Sequence, residues 1–478
     1  MMIGFRWSPP HPRPYHPCRT CSYPFLSLAL KIIIVPPLYD KKNSFYNPNS
    51  NSVFNSSIRL FTSSLTFMLP VSVFVLIFTC TRYTNNQNTF QYMSRKLRMG
   101  MIGGGQGAFI GAIHRFASLG DGQIELVCGA LSNSPDKAKS SGRELGLDDS
   151  RAYTSYTDMI QSEAALPPET RMDFVSIVTP NHVHFKPAMM ALDHGFHVFI
   201  EKPMTFTLEE AIQLKEKVKS TGKVLTLAHT YTGYPMVKEA RHMIAKGRLG
   251  KIRKIYVNYH QGWLSRASEQ DGNKQAAWRT DPKRSGKSGA MGDIGVHAFN
   301  LAEYISGMKV THLCAELDIV VNGRALDDDG MVMLKFGEDA SGMLTATQVA
   351  AGEENALSIK IYGEDGGLEW HQMEPNTLHY RPLEGPAQVL RAGMPYLSDV
   401  AQLNTRTPAG HPEGYLEAFA NLYRNFTLAV KHREGLSTGV REELIDYTDT
   451  EDGIRGMAFI ENVVKSSNSF EKWLPFTI

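Results

Sequence analysis

Two short runs hold the side chains best suited to moving a proton. The first is Glu201, Lys202 and Pro203, directly after the apolar run "HVFI" (197–200). Pro203 disfavours helical φ/ψ at Lys202 and holds it extended. A lysine so held can sit beside a reacting hydroxyl, and a nearby cationic ring can lower its pKa. A surface lysine in a turn is the plainer reading of the same pair. The second run places Asp293 and His297 four residues apart, on one face of a helix start. Free N–H groups at a helix N-terminus stabilise a carboxylate. A histidine one turn on accepts a proton near neutral pH. An N-cap aspartate with a packing histidine has the same spacing. Taken together, Lys202, Asp293 and His297 form a proton-handling set suited to a hydride acceptor.

The elements that must position them start at Met99. "RMGMIGGG" is a short apolar strand running into glycines, "AFIGAIHRFASLG" has helical spacing, and "QIELVCGAL" reads as a second buried strand. A strand, a glycine-rich turn and a helix make a phosphate site, because the helix start offers unpaired N–H groups. Gly103 serves the tight turn, Gly105 the close backbone approach, and Gly107 and Gly111 extend the run. The third fingerprint position is Ala108, with Gly111 the alternative after a longer turn. The second strand ends at Ser132 without a carboxylate, which leaves NAD and NADP both open. Further strands at 172–178, 197–200 and 223–229 alternate with helices at 184–194 and up to Gly222. That alternation predicts a doubly wound, mainly parallel sheet. Thr179, Pro180, Asn181 and His184 follow one strand, and Glu201 and Lys202 follow the next. Both groups lie on the rim where open α/β sheets bind ligands.

"IGGG…H", "TPNHVH" and "EKP", in that order, resemble the Gfo/Idh/MocA oxidoreductases over about residues 97–430. The resemblance implies an N-terminal Rossmann domain followed by an α/β domain with a large open antiparallel sheet. It implies that Lys202 lies at the nicotinamide, with Glu201 structural. Thr179, Pro180, Asn181 and His184 would lie along the nicotinamide ribose. It further implies that Asp293 binds substrate and that His297 is the general base. The glycine-rich turn is longer than the usual family spacing. "QGWL", "AAWRTDP" and "HTYTGYP" resemble a sugar-oxidising subgroup that includes levoglucosan dehydrogenase. Tyr234, Trp263, Trp278 and Arg279 are therefore candidate sugar contacts, since aromatic faces suit pyranose C–H surfaces and Arg suits hydroxyl oxygens. Core or interface packing is the plainer reading of each.

From Lys251 the strand signals lengthen and alternate, which predicts an antiparallel sheet. Ile294 to Ile305 reads as a helix closed by Ser306 and Gly307. Asp327, Asp328 and Asp329 point in different directions and read as a solvated turn rather than a metal site.

Composition sets the outer limits. The chain has 478 residues, 42% hydrophobic and 21% charged, so it is globular and longer than one ordinary domain. Five cysteines make no disulfide scaffold, and a net charge of +2 offers no case for nucleic acid as a partner. That charge is uneven. Residues 1–92 carry eight Lys and Arg against one acid, and also 10 of the 25 prolines. They read as a disordered, spurious or cleaved extension, with one apolar stretch at 65–81 as the alternative membrane anchor. Cys18 and Cys21 form a lone CxxC without a second ligand pair, so no metal is expected. The expected organisation is a dinucleotide-binding domain over 93–229 and a substrate-binding and oligomerisation domain over 230–478. The expected activity is a cytoplasmic, homo-oligomeric NAD(P)-dependent dehydrogenase, with NAD preferred, acting on a sugar, anhydrosugar or cyclic polyol. The alternatives are an NAD-dependent glycosidase on the same fold and a dinucleotide-binding sensor.

Overall fold

The computed structural model describes residues 95–478. The apolar stretch 65–81 and the Cys18–Cys21 pair lie outside the described residues. The first layer is built from β1 (Leu97–Gly103), α1 (Phe109–Leu119), β2 (Ile124–Ala130), α2 (Pro135–Glu144), α3 (Tyr156–Ala165), β3 (Phe174–Val178), α4 (Phe185–Asp193), β4 (His197–Ile200), α5 (Leu208–Thr221) and β5 (Leu225–Leu227). All five strands run parallel in the order β2-β1-β3-β4-β5. β3, β4 and β5 are buried along their whole length. Helices cover both faces, which is why these strands read as continuous apolar runs rather than alternating ones. The helix expected before Gly222 ends there, with Gly222 at φ 66° donating its N–H to the Val218 carbonyl.

The second layer follows: α6 (Pro235–Ala245), β6 (Ile252–His260), α7 (Lys274–Arg279), α8 (Pro282–Ser285), α9 (Val296–Ser306), β7 (His312–Asp318), β8 (Asp329–Phe336), β9 (Ala340–Thr347), β10 (Ala356–Gly363), β11 (Gly366–His371), β12 (Thr377–Pro382), β13 (Gln388–Arg391), α10 (Asp399–Leu403), α11 (Tyr415–Arg433), α12 (Thr450–Ser467) and β14 (Leu474–Pro475). The sheet order is β13-β12-β11-β10-β6-β9-β8-β7-β14. It is antiparallel except at its centre, where β6 runs parallel to β9. The large antiparallel sheet expected from Lys251 onward is present; its one parallel pair joins strands that are separated in the chain by helices and a hairpin. The strands alternate in burial, as in β8, so one face is covered and the other is open. α9 lies against the covered face and is buried at every residue.

The last helices return toward the first layer. α11 packs against α1, and its Phe419, Tyr423 and Phe426 share a core cluster with Met99 of β1 and Phe199 of β4. Tyr423 stacks on Phe199 at 4.0 Å between ring centroids. Burying each such ring is worth roughly 1.5–3 kcal/mol. The 230–478 segment therefore also completes the hydrophobic core beneath the parallel sheet.

Candidate active site

Lys202 leaves the end of β4 and meets Asp293 from the second layer. Its Nζ donates to the Asp293 carbonyl oxygen at 2.6 Å and to Oδ1 at 2.9 Å. The Lys202–Pro203 peptide is cis. Asp293 sits in a widened helical turn, Met291–Gly295, that runs straight into α9. Its own N–H is taken by the Gly289 carbonyl. The expected N-terminal stabilisation is thus corrected: Asp293 is not a helix cap. Side chains stabilise it instead, with Oδ2 accepting from Arg279 Nε at 3.0 Å and Gln348 Nε2 at 2.9 Å. Burial opposes ionisation, but the Lys202 ammonium and the Arg279 guanidinium prevail and hold the carboxyl far below the usual carboxylate range.

His297 lies one turn further along the same helical stretch. Burial, then the positive charge of Lys202, then His229 push its pKa well below 6.5. The imidazole is therefore neutral at physiological pH. Its ring is flanked edge-on by Tyr231 at 5.0 Å and by His229 at 5.4 Å. Around these groups Tyr231 bonds Tyr259, Tyr259 donates to Asn355 at 2.7 Å, and Gln261 donates to the same Asn355 oxygen at 2.7 Å.

The expected sugar contacts divide. Trp263 donates through Nε1 to Gln261 at 2.9 Å. The Arg279 guanidinium lies 4.3 Å from the Trp278 ring and 5.7 Å from that of Trp263. These three side chains therefore gather beside Asp293. Tyr234 does not join them. It is buried under α6, tilted against Trp370 at 5.4 Å, with its hydroxyl toward Gln372. Its position just before Pro235, the first residue of α6, turns it inward. The three aspartates expected in a solvated turn are also mostly internal. Asp327 accepts from the Gly289 and Met291 N–H groups, and Asp328 is buried against Arg324. Arg324 in turn holds Glu269 and the Arg266 carbonyl, fixing the loop that carries Trp263 and leads into α7, which ends at Arg279.

On the cofactor side, Gly103 has φ 81° and Gly107 φ 76°. A Cβ on Gly111 would lie 2.3 Å from the Gly104 Cα, so Gly111 is the glycine that lets α1 approach the turn. Ala108 is the residue before α1 and makes no side-chain cap. Gly105 presses on this chain's own backbone, since a Cβ there would sit 2.6 Å from the Leu131 oxygen. A cleft of about 410 Å³ opens beside the turn, lined by Gly105, Gln106, Gly107 and Phe109. Ser132 accepts from the Ser134 N–H and adds no charge at the tip of β2.

The residues after β3 have different tasks. Thr179 Oγ1 is buried without a hydrogen-bond partner. Pro180 precedes a single tight turn, and Asn181 donates to the Ser285 carbonyl at 3.0 Å, tying the two layers together. His184 is wholly buried between the carbonyls of Thr179 and Pro203, at 2.9 and 2.8 Å. It binds the two rim loops to each other rather than facing a ligand. Glu201 accepts the Lys202 N–H at 3.0 Å and meets His114 Nε2 at 2.9 Å. Burial would raise its pKa, but His114 and Lys202 lower it on balance.

Three participants escape sequence reasoning. His114 is the histidine of the "IGGG…H" run, one turn after Gly111, and its Nδ1 reaches Tyr423 at 2.7 Å. His229 closes "KVLTLAH" at a strand end, the same rim position that pointed to Lys202. Gln348 follows β9 and has no local signal at all.

Residues 97–229 match the family described as an oxidoreductase family with an NAD-binding Rossmann fold, and residues 237–369 match the GFO/IDH/MocA C-terminal domain. The oxidoreductase YfiI of Bacillus subtilis is 32% identical over 392 residues, covering 81% of this chain and 99% of the relative. The chain belongs to the Gfo/Idh/MocA family. As a member it is an oxidoreductase with an NAD-binding Rossmann domain. Among solved structures, an inositol dehydrogenase homologue from Azotobacter vinelandii, in complex with NAD+, superposes with a TM-score of 0.75 at 34% identity. That match covers 80% of this chain and 98% of the other. Levoglucosan dehydrogenase of Pseudarthrobacter phenanthrenivorans is 28% identical over 305 residues, 57% of this chain and 73% of that enzyme. These relatives are named as oxidoreductases or dehydrogenases, and neither the glycosidase nor the sensor reading finds support in them.

This member's own residues fit a dinucleotide. The first turn of α1 carries neither a side-chain cap nor an acidic residue, so its N–H groups suit a phosphate. The unpartnered Thr179 hydroxyl lies on the same rim as Lys202 and suits a polar ligand edge.

Proposed function

We propose that this chain oxidises a secondary hydroxyl of a sugar, anhydrosugar or cyclic polyol and runs the reverse reduction with the same groups. The observation that carries this reading is the Lys202 ammonium 2.9 Å from Asp293, with His297 one turn along the same stretch. Lys202 and Asp293 orient the substrate hydroxyl, and neutral His297 removes its proton. The bound nicotinamide supplies the hydride acceptor. Gly103, Gly107, Gly111 and the start of α1 would hold the pyrophosphate, with Gly105 and Ser132 shaping the adenosine side. Thr179, Pro180 and Asn181 would border the nicotinamide ribose. Glu201 fixes the Lys202 backbone, and His184 fixes the Pro203 carbonyl. Trp263, Trp278 and Arg279 would receive the sugar ring, while Tyr234 supports Tyr231 from behind.

The names of the relatives support the substrate class, and they include scyllo-inositol 2-dehydrogenases that use NAD(+) and NADP(+). NAD is the preferred cofactor in this reading, because Ser132 beyond the tip of β2 is engaged by the Ser134 N–H and, among the described residues, by no cationic side chain. The division remains 93–229 for the dinucleotide and 230–478 for substrate and assembly. A cytoplasmic role in carbohydrate metabolism belongs to the same proposal; among the described residues no helix is long and apolar enough to cross a membrane. The test is nicotinamide reduction by the full chain with inositols, aldoses and levoglucosan. Lys202→Ala should lower a signal that the wild type gives by at least about 10²-fold. Cofactor binding without turnover on any of these would count against the reading.

A further inference from the structure

His229 lies two residues beyond β5, which pairs with the strand that delivers Lys202, and it is buried next to His297. The two Nδ1 atoms lie 3.4 Å apart. The other rings around His297, Tyr231 and Tyr259, spend their hydroxyls on each other and on Asn355. His229 is therefore the polar partner of the His297 Nδ1 among the described residues. A hydrogen bond between two imidazole nitrogens needs one N–H and one lone pair. When His297 supplies the N–H from Nδ1, its Nε2 is left with the lone pair that a base requires.

We infer that His229 is a positioning residue and second proton acceptor that holds His297 in its basic tautomer. The inference rests on His297 being the base of the proposed reaction. The relay moves protons only. The substrate O–H proton forms a bond to His297 Nε2 as the Nδ1–H bond of His297 breaks. That second proton joins the lone pair of His229 Nδ1, so His297 ends neutral and His229 carries the charge. The hydride and its electron pair leave the carbinol carbon by the route already proposed, and the reverse reaction returns both protons.

Electrostatics set the starting state of the pair. Both rings start neutral: burial and the Lys202 charge lower His229 to about 3 and His297 well below 6.5. The groups facing the pair are Lys202, which opposes a proton on either ring, Glu201, which favours one on His229, and Asp293, which favours one on His297. Tyr231 and Tyr259 are held protonated by burial. Burial and Lys202 outweigh the two carboxylates, so the resting pair carries no proton beyond its own N–H groups.

The test compares the full chain with His229→Ala, His229→Asn and His297→Ala, using myo-inositol and levoglucosan as the probes. Asparagine presents an acceptor oxygen near the position of Nδ1. His229→Ala should lower kcat about 10²-fold, the scale of one proton-transfer contribution, with KM within about threefold by the same argument that ground-state binding is untouched. Dinucleotide titration should be unchanged, and His229→Asn should recover about tenfold of the loss, a part of that contribution. If alanine there prevents folding, His229→Leu fills the volume and carries the same comparison. Normal turnover in His229→Ala alongside an inactive His297→Ala would overturn the relay alone. Equal losses in the Ala and Asn variants would assign His229 a packing role only. Turnover retained in His297→Ala would remove the base, and the relay with it.

Discussion

At the scale of single residues, the site turns on where charge is permitted. Asp293 remains ionised in a buried place because Lys202 and Arg279 face it, and His297 remains neutral because it is buried and Lys202 is near. A base with a depressed pKa is ready at low proton concentration and fails only when acid finally protonates it. The acid limb of kcat/KM for alcohol oxidation should therefore lie below 6.5, the ordinary value for histidine. Lys202→Met removes a positive neighbour, so protonation of His297 becomes easier and the limb moves upward toward 6.5. Residual pH–rate profiles would check both statements, and a wild-type limb above 6.5 would contradict them. Lys202, Asp293 and His297 were legible in sequence because each sits at a spacing with a mechanism. Gln348 was not, since the strand that brings it to Asp293 is set by sheet pairing across 55 residues.

At the scale of elements, the glycine-rich turn and α1 form one fitted unit. Gly104 and Gly111 touch so closely that no Cβ fits between them. Gly111→Ala should cost roughly 1–3 kcal/mol through overpacking and weaken dinucleotide binding by displacing the start of α1. Thermal melting and dinucleotide titration would read the two effects. An unchanged melting point with unchanged affinity would contradict the packing argument. The parallel strands were legible because burial on both faces writes continuous apolar runs. The start of α9 was less so. "GAMGD" has the composition of a loop, yet the Asp327 carboxylate binds the N–H groups of Gly289 and Met291 and lets the helical turn begin early. A partner 36 residues away supplies that cap, and no local pattern announces it.

At the scale of the whole molecule, two layers complete each other. α11 fills the core beneath the parallel sheet, which sequence reading assigned wholly to the second half, because its apolar stripe does not say which layer it covers. The open sheet face raises the question of assembly. Met333, Met343 and Tyr256 align in register across β8, β9 and β6 and are exposed, and Tyr362 meets Tyr256 at 6.2 Å. A contiguous apolar face of this kind suits a second copy of the chain. Tyr256→Glu with Met343→Glu should lower the sedimenting mass while leaving each subunit folded; a wild-type monomer would contradict the assembly proposal. The most direct test of the account is turnover itself. The full chain, mixed with NAD and a panel of inositols, aldoses and levoglucosan, should reduce the nicotinamide with at least one of them. Lys202→Ala should lose at least about 10²-fold of that rate while binding the dinucleotide as before. A Lys202→Ala variant that keeps near-normal turnover, or that no longer binds the dinucleotide, would contradict the central claim.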